Sequence, residues 1–171
     1  MTKPVLDAKS LSQGEIVALH GPGATAALEA LAAGPTRLGT VWRDGGLFPG
    51  LTVAEVVDTW RRWTLDPITR QEALWLTGLT GREQTRFENL SAVERRWLDL
   101  ALALIGQADL LLLDEPTAAL DPAARDEIWT LLRNLATRGV TIVLATRDPA
   151  EARRADHHHP RIAPAAQARA A

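Results

Sequence analysis

Residues 110 to 122 read LLLLDEPTAALDP, from Leu110 to Pro122. Four consecutive leucines suit a strand covered on both faces, the condition met inside a parallel sheet. Such a strand delivers Asp114 and Glu115 together at its carboxyl end. One carboxylate there can hold a divalent cation, directly or through water, and the next can orient or deprotonate an attacking water. An acidic pair after a strand can also do no more than cap the following turn, but that reading leaves the continuation Pro116, Leu120, Asp121, Pro122 without a cause.

Working outward, three further apolar runs read as strands: Glu15 to His20, Arg37 to Trp42 and Gly139 to Thr146. Between the strands lie Ala24 to Ala33, Thr52 to Trp63, Ser91 to Gln107 and Pro122 to Arg138, with apolar residues at helical spacing, as at Leu98, Ala101, Leu102 and Ile105. Helix starts are marked locally. Thr52-Val-Ala-Glu55 and Ser91-Ala-Val-Glu94 fit the capping box, and Asp121-Pro122 and Asp148-Pro149 place an acid before a proline at the first helical position. Alternation of strands and helices predicts an α/β layer fold. The tail from His157, HHHPRIAPAAQARAA, has no periodicity and is expected to be disordered, which leaves 1–156 as one domain and 157–171 as a tail.

Composition closes several classes. The 171 residues contain no Cys, so disulfide, thiolate-metal and cysteine-nucleophile chemistry is absent. A formal charge of −2 gives no global field for nucleic acid, and no window approaches the apolar length of a membrane span, so the expected protein is cytoplasmic and not itself transmembrane. Its only lysines are Lys3 and Lys9; every later basic residue besides histidine is Arg.

The stretch that opened this reading resembles the nucleotide-binding domain of ATP-binding-cassette (ABC) proteins, where a similar run joins the Walker B strand, the catalytic glutamate and the D-loop. The resemblance covers nearly the whole chain. Leu90-Ser91-Ala92-Val93-Glu94 stands where the family has its LSGGQ signature, EIVALHGPG looks like the strand entering the phosphate loop, DGGLFPGLTVAE like the segment after the Q-loop, and GVTIVLATRD like the last strand with its switch residue. The resemblance implies a P-loop NTPase-like parallel sheet flanked by helices, of the ABC ATPase type, with a shortened N-terminus and a reduced helical subdomain over about 52–90. It further implies ATP and Mg²⁺ as ligands, Glu115 as general base, Asp114 as the Mg²⁺ ligand, Ser91 as a phosphate contact in trans, and a membrane-spanning transporter subunit or a second ABC ATPase domain as partner, at the inner face of the cell membrane.

Departures from the family pattern are specific. A phosphate loop reads GxxxxGK[ST], with backbone N–H groups wrapping the phosphates, a lysine on the β and γ oxygens and a hydroxyl on Mg²⁺. Here the loop is Gly21-Pro22-Gly23-Ala24-Thr25-Ala26-Ala27, with Ala26 or Ala27 at the lysine position. Losing one charge-assisted contact of about 1.5–3 kcal/mol weakens binding roughly 10- to 150-fold. The Q-loop position holds Arg43 and the switch position Arg147, permanent cations in place of neutral-capable groups. In the signature, Ala92 and Val93 replace the glycines that let backbone approach phosphate, and the same residues read more simply as a plain capping box. Residues 1–20 hold no Phe, Tyr or Trp to stack a base, and His20 is the nearest ring.

The expected function is therefore an ATP-binding-type subunit of an ABC transporter with weak or absent hydrolysis of its own and nucleotide weakly held or lost. A non-catalytic scaffold or regulatory partner of an intact ABC ATPase is the alternative. Chromosome-maintenance ATPases share the signature and Walker B but carry long coiled coils, and no heptads occur here. Trp60, Trp63 and Trp75 with Arg61 and Arg62 suit an interface with a membrane subunit, while Trp60 and Trp63 at i, i+3 fit a core equally well. His157, His158 and His159 with Asp156 have metal-ligand chemistry, although a solvated histidine run reads the same way.

Overall fold

A computed structural model describes residues 11–32 and 37–159. Five strands form one sheet: β1 (Ile16–His20), β2 (Leu38–Val41), β3 (Leu110–Asp114), β4 (Thr141–Thr146) and β5 (His157–His159). Their order is β2-β3-β4-β1-β5, every pair is parallel, and all five therefore end on the same edge. The α/β parallel-sheet expectation holds.

Period-two side-chain alternation fills both faces. Ile16, Ala18, Leu111, Leu113, Ile142 and Leu144 pack on one side, against the helices α4 (Ala92–Leu104) and α5 (Pro122–Thr137). Val17, Leu19, Leu110, Leu112 and Val143 pack on the other, against Leu28 and Leu31 of α1 (Ala24–Ala32). A second cluster joins α2 (Val53–Trp63), α3 (Arg70–Leu76) and a 3-10 turn over Phe87–Asn89 to α4, through Val53, Val57, Leu74, Phe87, Leu98 and Ile105. The short α6 (Pro149–Ala152) leads from β4 toward β5.

Local chemistry explains where the elements begin. Thr52 and Ser91 each form a complete capping box with Glu55 and Glu94, and Asp121 accepts from the Ala124 N–H at 3.0 Å with Pro122 at the first helical position. Ends are less legible in sequence. The strand expected from Gly139 starts at Thr141, because Gly139 (φ +93°) closes α5: its N–H bonds to Ala136 O and that of Val140 to Leu135 O. The helix expected to reach Gln107 ends at Leu104, where Gln107 turns left-handed (φ +55°) and its amide caps Asp66. Helix α3 falls within the segment of about 52–90 expected to be helical without having been singled out, and it starts at Thr69, which accepts from the Glu72 N–H.

One further expectation changes. The first three residues of the segment read as a disordered tail form β5, drawn onto the open edge of β1 by Asp156, whose N–H bonds to Ile16 O at 2.9 Å and whose carboxylate accepts from the Ile16 N–H at 2.8 Å. A histidine run gives no apolar periodicity from which to foresee this; residues 160–171 lie outside the described residues. Asp156 also accepts from Arg133 at 2.5 Å, so both its oxygens are engaged, and among the described residues no group of three or more His, Asp or Glu side chains is placed to hold a metal ion. Trp60 and Trp63 are not core: they stand 45% and 87% exposed.

Candidate functional site

In open parallel sheets ligands bind beyond the carboxyl ends of the strands. Here that edge carries His20 and Gly21 at the end of β1, Arg43 after β2, Asp114 and Glu115 at the end of β3, and Arg147 after β4. The sheet thus brings together residues expected from four separate segments. Ser91 stands apart from this set as the exposed N-cap of α4, its hydroxyl accepting from the Glu94 N–H at 3.2 Å.

Asp114 is buried, and one of its oxygens accepts from the Thr25 hydroxyl at 2.9 Å. The fold thus seats the one hydroxyl of the segment 21–27 on the strand-end carboxylate. Only Gly21, Pro22 and Gly23 separate β1 from α1. Within that turn the Ala24 N–H donates to Gly21 O at 3.1 Å and the Ala27 N–H to Gly23 O at 3.0 Å, so Ala24, Ala26 and Ala27 lie within the helix. A GxxxxGK[ST] loop has four residues between its glycines and presents a concave ring of N–H groups. Here one residue separates the glycines, and no lysine occurs among the described residues. Asp114 is a carboxylate of the kind that ligates Mg²⁺, and the three-residue turn is shorter than a phosphate-wrapping loop.

Glu115 adopts a left-handed conformation (φ +49°), sparsely populated by residues with a side chain. Its N–H extends the ladder to Ala145 O at 2.9 Å, and its side chain turns toward β4, where Oε1 accepts from the Arg147 N–H at 3.1 Å with the Arg147 Nε 3.7 Å away. Burial raises the Glu115 carboxyl above its ordinary value; the Arg147 N–H opposes this, Glu151 and Asp114 reinforce it, and the Arg147 guanidinium opposes it again. Arg147 is 75% exposed, so its charge is largely screened. His20 Nε2 lies 3.3 Å from the Arg147 carbonyl, a hydrogen bond from the Nε2–H tautomer, which makes this ring a structural tie. Arg43 is exposed, and its carbonyl accepts from Arg96 at 2.9 Å.

Sequence reading missed one group. Glu151 on α6 is buried and accepts from the Thr117 hydroxyl at 2.7 Å and the Thr146 hydroxyl at 2.6 Å. It pins the turn after Glu115 to the end of β4, immediately before Arg147. No spacing rule links residues 117, 146 and 151, so no signal in the chain announces them.

Comparisons with known proteins agree with this fold. A family model described as "AAA domain, putative AbiEii toxin, Type IV TA system" matches residues 17–153. The thiamine import ATP-binding protein ThiQ of Ruegeria sp. (strain TM1040) is 34% identical over 160 residues, 89% of this chain and 64% of that protein. The chain belongs to the ABC-type ATP-binding family. A second relative of this cassette, the Nod factor export ATP-binding protein I of Rhizobium meliloti (strain 1021), is 36% identical over 159 residues, 90% of this chain and 46% of that one. The cassette thus spans roughly half to two thirds of the length of these relatives. Its fold matches the dimeric, post-hydrolysis ATP-binding cassette MJ0796 bound to ADP and Pi with a TM-score of 0.70 at 22% identity, covering 88% of this chain and 82% of that one. No helix among the described residues is long and apolar enough to cross a membrane.

Proposed function

We propose that this cassette is an ATP-binding-type subunit of an ABC transporter that holds Mg·ATP weakly or not at all and does not hydrolyse it alone. The observation that carries this reading is the three-residue turn Gly21 to Gly23, with the Thr25 hydroxyl committed to Asp114. A three-residue turn, with no lysine among the described residues, offers the γ-phosphate neither that cradle nor the lysine's countercharge. Asp114 and Glu115 are the proposed Mg²⁺ ligand and general base, and Glu115 faces Arg147. The partners are a second cassette and a membrane-spanning subunit at the cytoplasmic face. Exposed Trp60 and Trp63 on α2 are apolar side chains available for such docking.

A steady-state phosphate-release assay on the purified chain tests this. No turnover above background is expected. Turnover near about 1 s⁻¹, within the ordinary enzyme range, that disappears in Glu115→Gln would overturn the reading. Rebuilding residues 21–27 as a full GxxxxGKS loop should restore Mg·ATP binding by calorimetry.

A further inference from the structure

Among the described residues, the turn after β3 and the segment after β4 are joined at three levels. At the sheet edge, Glu115 accepts from the Arg147 N–H at 3.1 Å. At the surface, Arg125 donates through Nε to Leu120 O at 3.0 Å while its guanidinium lies 3.4 Å from the Asp148 carboxylate. Between these two, Glu151 accepts from the Thr117 hydroxyl at 2.7 Å and from the Thr146 hydroxyl at 2.6 Å.

The link through Glu151 is the strong one. The Arg125–Asp148 pair is 41% exposed on both sides, so solvent screens it. Glu151 is buried and makes no ion pair among the described residues. Arg125 and Arg154 line the same cavity of about 120 Å³, but they are bound to Asp148 and Asp126. The two threonine hydroxyls are therefore what satisfies this carboxylate, and losing either leaves a buried acceptor half met. The bonds also run in a fixed direction. With its proton given to Glu151, the Thr146 oxygen is turned to accept from the Asp148 N–H at 3.1 Å, and the Arg154 N–H closes back on Glu151 O at 2.9 Å. A continuous run of hydrogen bonds thus leads from Thr117 to the N-cap of α6, immediately after Arg147. At its other end the Leu120 N–H donates to Thr117 O at 3.2 Å, beside exposed, left-handed Ala119 (φ +62°) and exposed Asp121. The tip of this turn is open to solvent while its base is fixed to another element.

We infer that residues 115–121 and 146–154 open and close as one cooperative unit, locked by Glu151 between Thr117 and Thr146, so that a contact made at the exposed tip Ala119–Asp121 is felt at Arg147. Local bonding alone would let the two parts open separately, since the Ala118 N–H is held by Glu115 O and the Ala152 N–H by Asp148 O, each within its own segment. The unit is a property of the fold and does not depend on the nucleotide reading.

Native-state hydrogen exchange of the whole chain tests this at Ala118, Leu120, Asp148 and Ala152, with rates taken relative to the Val56 N–H, which bonds to Thr52 O outside the unit. In the natural chain the four amides should share one opening equilibrium, with protection equal to within about threefold. Thr117→Val removes a hydroxyl from the first segment only, yet it should accelerate exchange at Asp148 and Ala152 about 10- to 150-fold, as at Leu120. Thr117→Ser restores the hydroxyl and should return all four amides to within about threefold of their natural rates. Arg125→Gln should change them by about fivefold or less. Glu151→Gln, which keeps the side-chain volume, approaches the lock from the second segment and should accelerate Ala118 and Leu120 together with Asp148 and Ala152. Acceleration confined to the segment that carries the substitution, in either Thr117→Val or Glu151→Gln, overturns the unit. Equal losses in Thr117→Val and Thr117→Ser, or a larger effect of Arg125→Gln than of Thr117→Val, would remove Glu151 as its lock.

Discussion

Glu115 pairs an unusual backbone with a perturbed side chain, and the two have separate consequences. Its folded carboxyl binds a proton more tightly than the unfolded one, chiefly through burial, so its contribution to stability is fully present below the ordinary glutamate value and is lost as pH rises through the folded value. Glu115→Gln is therefore expected to be more stable than the natural chain at neutral pH, with the difference closing as pH falls toward the ordinary carboxylate range. Thermal unfolding across a pH series checks this; a less stable glutamine variant at neutral pH would mean that the Arg147 contacts outweigh burial. Thr25 acts in the opposite sense. Thr25→Val deprives buried Asp114 of its hydroxyl donor and should cost about 1–3 kcal/mol in urea unfolding. Glu151→Ala leaves the buried Thr117 and Thr146 hydroxyls without their acceptor and should cost at least as much, about 3 kcal/mol.

The elements owe their edges to caps and their seating to close contacts, and each can be probed alone. Ser91→Ala and Thr52→Ala each remove one member of a reciprocal pair and should each lower stability by about 1 kcal/mol. Gly39 marks where α4 crosses β2: a Cβ there would lie 2.4 Å from the Ala103 carbonyl and 2.6 Å from Leu111 Cδ2. The leucine tip can move and the helix carbonyl cannot, so Gly39→Ala should cost about 1–3 kcal/mol by forcing the helix off the sheet. Equilibrium urea midpoints measure both effects. A Gly39→Ala chain of natural stability would show that α4 shifts on β2 without penalty.

At the scale of the molecule, the parallel sheet converges Gly21, Arg43, Glu115 and Arg147 on one edge, while Ser91 stands apart, where its hydroxyl is engaged in a cap. Two copies facing one another would each offer a contracted turn and a signature with Val93 in place of glycine. Sedimentation with and without Mg·ATP should accordingly show no nucleotide-dependent homodimer, and an ATP-induced dimer would contradict the proposed loss of the phosphate cradle. The sequence by itself determined four of the five segments that enter the sheet, where most helices start, and that Asp114 and Glu115 stand at a strand end in a chain with no lysine after Lys9. These are local or compositional properties, written in period-two alternation, in capping boxes and in residue counts. Tertiary structure alone decided the strand order, the recruitment of His157–His159 as β5, and the partners of the site carboxylates. Thr25 and Asp114 are 89 positions apart, and Thr117 and Glu151 are 34. Hydrogen bonds of that span leave no periodic trace, because their geometry is fixed only when the parallel strands set their register and bring both ends to one edge.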